Sequence, residues 1–195
     1  TLWNNFNQTA DNKKMTRLLS IGRLTYYKGY FDLINAMQFI PNAQLIIVGH
    51  GEQFDQLKSL IIQLNLQDRV YLAGKVDNDH LNKLLQSCHI FCMSSIERTE
   101  AFGLVLLEAM THAKPIVITR VEGSGMNWVT QNNKTALFSE KQNPQDFAEK
   151  VNHLIKNPQL SKTLGDNGYQ RLITEFNIET ICQQTLKLYQ STCHD

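Results

Sequence analysis

No apolar run in these 195 residues approaches the roughly 20 needed to carry a helix across a bilayer. Neither charge predominates: Lys and Arg number 19, Asp and Glu 18. That balance argues against a nucleic-acid binder, which shows a basic excess or stripe. No secretory leader is visible, and the chain begins at Thr1 rather than Met, so it is expected to be a fragment of a longer protein. The G-x-G-x-x-G pattern of dinucleotide sites is absent, and so is any internal repeat of 20 to 50 residues. Cysteine is sparse: Cys88, Cys92, Cys182 and Cys193. In a chain this long without a leader, four cysteines do not read as a disulfide framework. Cys88, His89 and Cys92 suggest zinc by proximity. On one strand, however, the two cysteines would share a face about 13 Å apart, too far for one ion. They read as small core residues.

What is present is an ordinary globular composition, 42% apolar and 19% charged, with length for one good-sized core. Residues 1–14 are polar and Asn-rich and read as a linker or arm. Six short apolar runs follow, within 17–21, 44–48, 69–73, 89–94, 115–119 and 135–138, the last an edge strand. Between them lie segments with helical spacing: Phe31, Leu33 and Ile34; Phe54, Leu57, Leu60 and Ile61; Leu81, Leu84 and Leu85. Asp77 or Asn78 can cap the third of these. Asn143-Pro144 and Asn157-Pro158 are helix-start signals, and Asn177 caps a final helix carrying Ile178, Ile181, Cys182, Leu186 and Tyr189. Strands alternating with helices imply a mainly parallel sheet with helices on both faces.

The chemistry centres on residues 100–110, EAFGLVLLEAM. A strand, a polar loop, Gly103 and then a run of helix formers would aim the free N–H groups of Phe102, Gly103 and Leu104 at a cleft. A helix start of this kind favours an anion such as phosphate. Glu100 precedes the turn, where it could accept hydrogen bonds from hydroxyls. Glu108 sits in an apolar run, where a buried carboxylate needs a partner. Arg23 and Lys28 lie beyond the first strand, at the edge where open parallel sheets bind ligands. Two cations there suit a diphosphate. Gly49-His50-Gly51 and Gly74-Lys75-Val76 are turns at the next two strand ends. Glu97 rivals Glu100 as the first carboxylate, but only Glu100 stands eight residues before Glu108 beside the Phe-Gly turn. Arg98 is expected to pair with a neighbouring acid in solvent. Gly123-Ser124-Gly125 offers further N–H donors, or is a plain helix-start loop.

Glu100 and Glu108, with EAFGLVLLEAM around them, resemble the E-x7-E motif of retaining glycosyltransferases. The GRL at 22–24 and Lys28-Gly29 match the same group. From about Arg17 to Tyr189 the chain resembles the nucleotide-sugar-binding half of a family 4 glycosyltransferase (group 1 glycosyl transferases) of GT-B architecture. The resemblance implies a Rossmann-like three-layer α/β/α domain over residues 15–195, the C-terminal half of a GT-B fold, with the N-terminal acceptor domain absent from this chain. It implies Arg23, Lys28 and Glu100 as catalytic. It implies donor contacts from Gly22, Arg23, Lys28, Gly49, Lys75, Val76, Glu100, Ala101, Phe102, Gly103, Leu104 and Glu108. Arg23 and Lys28 would neutralise the diphosphate in place of a metal, so no cofactor is expected. The substrates implied are a UDP- or GDP-linked sugar and a glycan or lipid-linked acceptor, as in bacterial surface polysaccharide or lipopolysaccharide synthesis. The setting implied is cytoplasmic, or peripheral to the inner membrane face. Two alternatives remain: a non-catalytic nucleotide-sugar-binding module and a sugar-nucleotide 2-epimerase. The loop after the fifth strand departs from relatives, with Ser124 and Asn127 in place of a glycine and an acid.

Overall fold

The structure is a computed structural model that describes residues 15–192. The expected linker at 1–14 and Cys193 lie outside the described residues. Six strands form one sheet: β1 Thr16–Ile21, β2 Ala43–Val48, β3 Val70–Gly74, β4 Ile90–Met93, β5 Ile116–Thr119 and β6 Ala136–Ser139. Their order is β3-β2-β1-β4-β5-β6, and every pairing is parallel, not merely most of them. Central strands of this kind are covered on both faces, which is why β2, β4 and β5 are buried along their whole length.

Alternate residues of each strand enter different cores. Leu18, Leu45, Ile47, Cys92 and Val117 meet one set of helices: α1 Tyr30–Ala36, α2 Phe54–Gln63 and α6 Pro144–Lys156. Leu19, Ile46, Phe91, Met93, Ile116 and Ile118 meet the other: α3 Asn78–Ser87, α4 Leu104–Thr111 and α5 Met126–Val129. Helix α7 (Pro158–Glu175) gives Leu164 to the first core and packs Leu172 against the second. The final helix, α8 (Ile178–Thr192), buries no residue, so its apolar positions Ile178, Ile181, Leu186 and Tyr189 all face solvent.

Local signals explain most boundaries. Asp77 is the residue that caps α3, accepting from the His80 amide at 2.8 Å. Asn143 accepts from the Asp146 amide at 3.1 Å ahead of Pro144. Asn157 does not cap α7; its side chain turns back and donates to the His153 carbonyl at 2.7 Å. One placement corrects the sequence expectation. Cys88 and Cys92 do not share a strand face, because β4 starts only at Ile90. Cys88 ends α3 and packs in one core, whereas Cys92 packs in the other. Burial raises the Cys88 thiol to about 11, leaving it protonated near neutral pH.

Candidate functional site

The order of the sheet reverses between β1 and β4, so the loops leaving those strands diverge and open a crevice at their carboxyl ends. Gly22, Arg23 and Lys28 leave β1; Ser95, Glu100 and Gly103 leave β4. All therefore lie on one edge of the sheet. The flanking edge is closely laced. The Gly49 amide donates to the Gly74 carbonyl at 2.9 Å, and the Leu24 amide to the His50 carbonyl at 2.9 Å. A Cβ on Gly49 would lie 1.8 Å from the Gly22 carbonyl oxygen, so these two loops touch backbone to backbone and only glycine fits.

Lys28 and Glu100, 72 residues apart, form an ion pair, with side chains only 11% and 12% exposed. A side chain on Gly22 would crowd the Lys28 ammonium, at 3.1 Å from a Cβ. Glu100 also accepts from the Ser95 hydroxyl at 3.3 Å. The loop carrying Lys28 is tied down in turn: Ser94 Oγ donates to the Lys28 carbonyl at 2.9 Å, and Ile96 N to the Tyr27 carbonyl at 2.8 Å. Beneath them Tyr30 is buried beside Ser20, and burial pushes its hydroxyl well up, so it stays a neutral donor. Arg23 is exposed on the same rim. Glu52 lies below the usual carboxylate range, held there first by a Thr25 hydroxyl and its own amide and last by the Arg23 charge.

Helix α4 begins where its sequence implied. Gly103 caps it in a left-handed conformation, φ 79°, that only glycine takes freely. Among the described residues, the amides of Phe102 and Gly103 find no acceptor. Two free donors at a helix start make a ready anion seat. The turn is braced from the β5–α5 loop. Ser124 Oγ donates to the Glu100 carbonyl, and the Gly125 amide to the Ala101 carbonyl at 2.9 Å. Thr119 Oγ1 donates to the Ser95 carbonyl.

Two expectations about charged groups are corrected. Glu108 needs no buried partner, because it lies on the exposed side of α4 and makes no ion pair among the described residues. Partial desolvation by the helix surface still raises its carboxyl. Arg98 pairs with no acid among the described residues; its stem lies over Gly123, with Cδ 3.9 Å from a Cβ built there. Glu97, the rival for the first carboxylate, is exposed, and its carboxylate accepts from the Thr99 hydroxyl at 3.4 Å. Lys75 and Ala101 are exposed and Val76 half-buried, on loops at the same edge, where the exposed Leu104 opens α4. Sequence reasoning missed Tyr30, Ser95, Thr119 and Ser124 as supports, since each acts through contacts distant in the chain.

Beside α4 stands an aromatic group of Phe102, Trp128 and Phe176, with ring centroids 5.1 to 6.1 Å apart. The buried Arg171 lies against Trp128 and Phe176 and donates to the Val129 and Trp128 carbonyls. A cavity of about 870 Å³ flanks β6 and α6, touching Phe138, Asp146 and Lys150. None of the expected donor residues lines it. A second, of about 630 Å³, opens at the ends of β4, β5 and β6, with residues 96–99 of the loop that leads to Glu100 in its wall.

The sequence profile described as Glycosyl transferases group 1 matches residues 2–171. The chain is similar to the lipopolysaccharide core biosynthesis glycosyltransferase LpsE of Rhizobium meliloti, 30% identical over 174 residues, which are 89% of this chain and 49% of that protein. An uncharacterized glycosyltransferase of Methanocaldococcus jannaschii is 31% identical over 183 residues, 92% of this chain and 45% of the relative. The chain thus spans about half the length of the curated relatives it matches. Among solved structures it resembles Anabaena HepE in complex with UDP-glucose: TM-score 0.82, 25% identity, 97% of this chain and 52% of that one. The three-layer sandwich is the fold of the C-terminal half of GT-B glycosyltransferases. On the match across most of its length, the chain belongs to the group 1 glycosyl transferases.

Proposed function

We propose that this chain is the donor-binding domain of a retaining family 4 glycosyltransferase, which moves a sugar from a nucleoside diphosphate to an acceptor hydroxyl. The observation that carries the reading is the ion pair of Lys28 with Glu100, two residues ahead of the free amides of Phe102 and Gly103, on loops leaving β1 and β4 where the sheet order reverses. A diphosphate seated on those amides takes Lys28 as one counter-charge and Arg23 as another. Both stabilise the leaving group as its negative charge grows. Glu100, freed of Lys28, accepts from the hydroxyls of the sugar. The loops at Gly49 and at Lys75 and Val76 border the nucleoside, and Glu108 takes the ribose hydroxyls. Each charged hydrogen bond contributes about 1.5–3 kcal/mol.

HepE was solved with UDP-glucose, and its likeness to this chain favours uridine over guanosine. The match to LpsE favours a surface-glycan product, with the acceptor presented by a further domain. The test is a thermal-shift and calorimetric series with UDP, GDP and their hexose conjugates. A UDP-sugar is expected to raise the midpoint by mass action. If no nucleoside diphosphate or conjugate binds, the donor reading falls.

A further inference from the structure

Resting on the donor site above, we propose that the cavity at the ends of β4, β5 and β6 is a subsite for the carbohydrate acceptor, so that this domain contacts the acceptor as well as the donor. The cavity, about 630 Å³, is walled by three cations, Arg98, Arg120 and Lys141, and three carboxylates, Glu97, Glu122 and Glu140. Its floor includes the buried Ile96 and Val121. Among the described residues, none of the six charged groups makes an ion pair, although donors and acceptors line one space.

The equal numbers of each charge decide the class of ligand. An anion would meet three carboxylates, and a cation three positive groups. A neutral polyhydroxyl ring uses both, because a hydroxyl donates to a carboxylate and accepts from a guanidinium or ammonium. The apolar floor suits the carbon face of such a ring. Position points the same way. The nucleoside lies towards the ends of β2 and β3, the diphosphate over β1 and the sugar at Glu100 beyond β4. The next ground along the same edge is the space over β5 and β6, which spans about 10 Å across three strand ends. The loop that gives Val121 and Glu122 to the wall continues into Ser124 and Gly125, which bond to the Glu100 and Ala101 carbonyls of the donor turn.

The test uses backbone-amide NMR of the chain, titrated with UDP and then with the methyl glycosides of glucose, galactose, mannose and N-acetylglucosamine at tens of millimolar. At least one glycoside should shift Arg98, Arg120, Glu122 and Lys141. The double variant Arg98→Ala/Arg120→Ala should weaken that glycoside at least tenfold while leaving UDP affinity unchanged. Lys141→Ala, on an exposed loop, gives the same comparison if the double variant does not fold. The assignment is overturned if no glycoside shifts these amides, if the shifts fall instead at Gly22, Lys28 and Gly103, or if inorganic phosphate produces them and glycosides do not. Failure of UDP to shift Gly22, Lys28 and Gly103 is a separate result, and it removes the donor reading.

Discussion

On the proposed donor site, Glu100, the ion-pair partner of Lys28, competes with the donor's phosphates for it. Unit charges about 4 Å apart attract by roughly 4 kcal/mol at an effective dielectric near 20, a fair setting for side chains barely a tenth exposed. A nucleoside diphosphate must draw Lys28 away from that partner and recovers a charged contact of about 1.5–3 kcal/mol. It also leaves Glu100 ionised beside its own phosphates. Glu100→Gln keeps the shape of the side chain and removes both penalties. Free UDP should therefore bind the variant about tenfold more tightly, a gain near 1.4 kcal/mol. A UDP-sugar should gain less, because the carboxylate that receives its hydroxyls is gone. Lys28→Met should weaken both ligands. The ligand-free Glu100→Gln protein loses up to about 3 kcal/mol, the lower end for breaking a buried pair, since an amide oxygen still accepts from Lys28. That corresponds to roughly 6–12 °C in midpoint for a chain of this size. Calorimetry with UDP and UDP-glucose, with a melting curve for each variant, tests all of this. If Glu100→Gln weakened UDP as much as Lys28→Met does, the two side chains would be joint ligands rather than competitors, and the reasoning would fail.

Other outcomes follow from the same contacts. In the intact enzyme, Lys28→Ala should lower turnover about a hundredfold, as for loss of one donor to developing charge; near-normal turnover would refute its role at the diphosphate. Nucleotide binding should survive a chelator with its affinity unchanged within a factor of about two, because in the proposed site Arg23 and Lys28 take the place of a metal at the phosphates; abolished binding would remove that claim. Gly125→Ala would set a Cβ 2.2 Å from the Ala101 carbonyl oxygen, so it should displace the Phe102 and Gly103 amides and weaken UDP at least tenfold, by roughly 1.4 kcal/mol or more. Unaltered affinity would mean the brace does not matter. Asp146 is pushed up by burial but brought down further by Lys150 and the Glu140 amide, so its carboxyl sits below the usual range. Its stabilisation is present above the unfolded value near 3.9 and is lost as pH falls through the lower folded value. Asp146→Asn should therefore lower the midpoint by about 2–4 °C at pH 7, for roughly 1 kcal/mol. In an acid titration that difference should shrink to nothing; a constant difference would contradict the charge argument.

The alternating architecture could be read from the chain because each strand is a compact apolar run and each helix start carries its own cap, as at Asp77 and Asn143. What could not be read was side. Leu104, Val105, Leu106 and Leu107 make α4 apolar all round, so periodicity gave no inner face. Glu108 was expected to be buried, and it turned out on the outer surface beside an exposed Leu104. For Cys88 the helix end was the difficulty: the residue closes α3 just ahead of β4, in the other core from Cys92. Arg23, Lys28, Glu100 and Gly103 could be assigned to one sheet edge from strand order alone. The contact between Lys28 and Glu100 could not, since it depends on β1 and β4 lying side by side. Ser124 was hidden in the same way, since its bond to Glu100 depends on β5 lying beside β4.

The short β5–α5 segment, fastened by Ser124 and Gly125 to the backbone at Glu100 and Ala101, works as a shared hinge pin. A ligand bound against Val121 and Glu122, as proposed, would lie one short loop from the Phe102 and Gly103 amides. Any coupling between the two proposed sites through that loop would be equal in both directions. The second ligand to arrive would then change the hold on the first by one and the same factor, whichever came first.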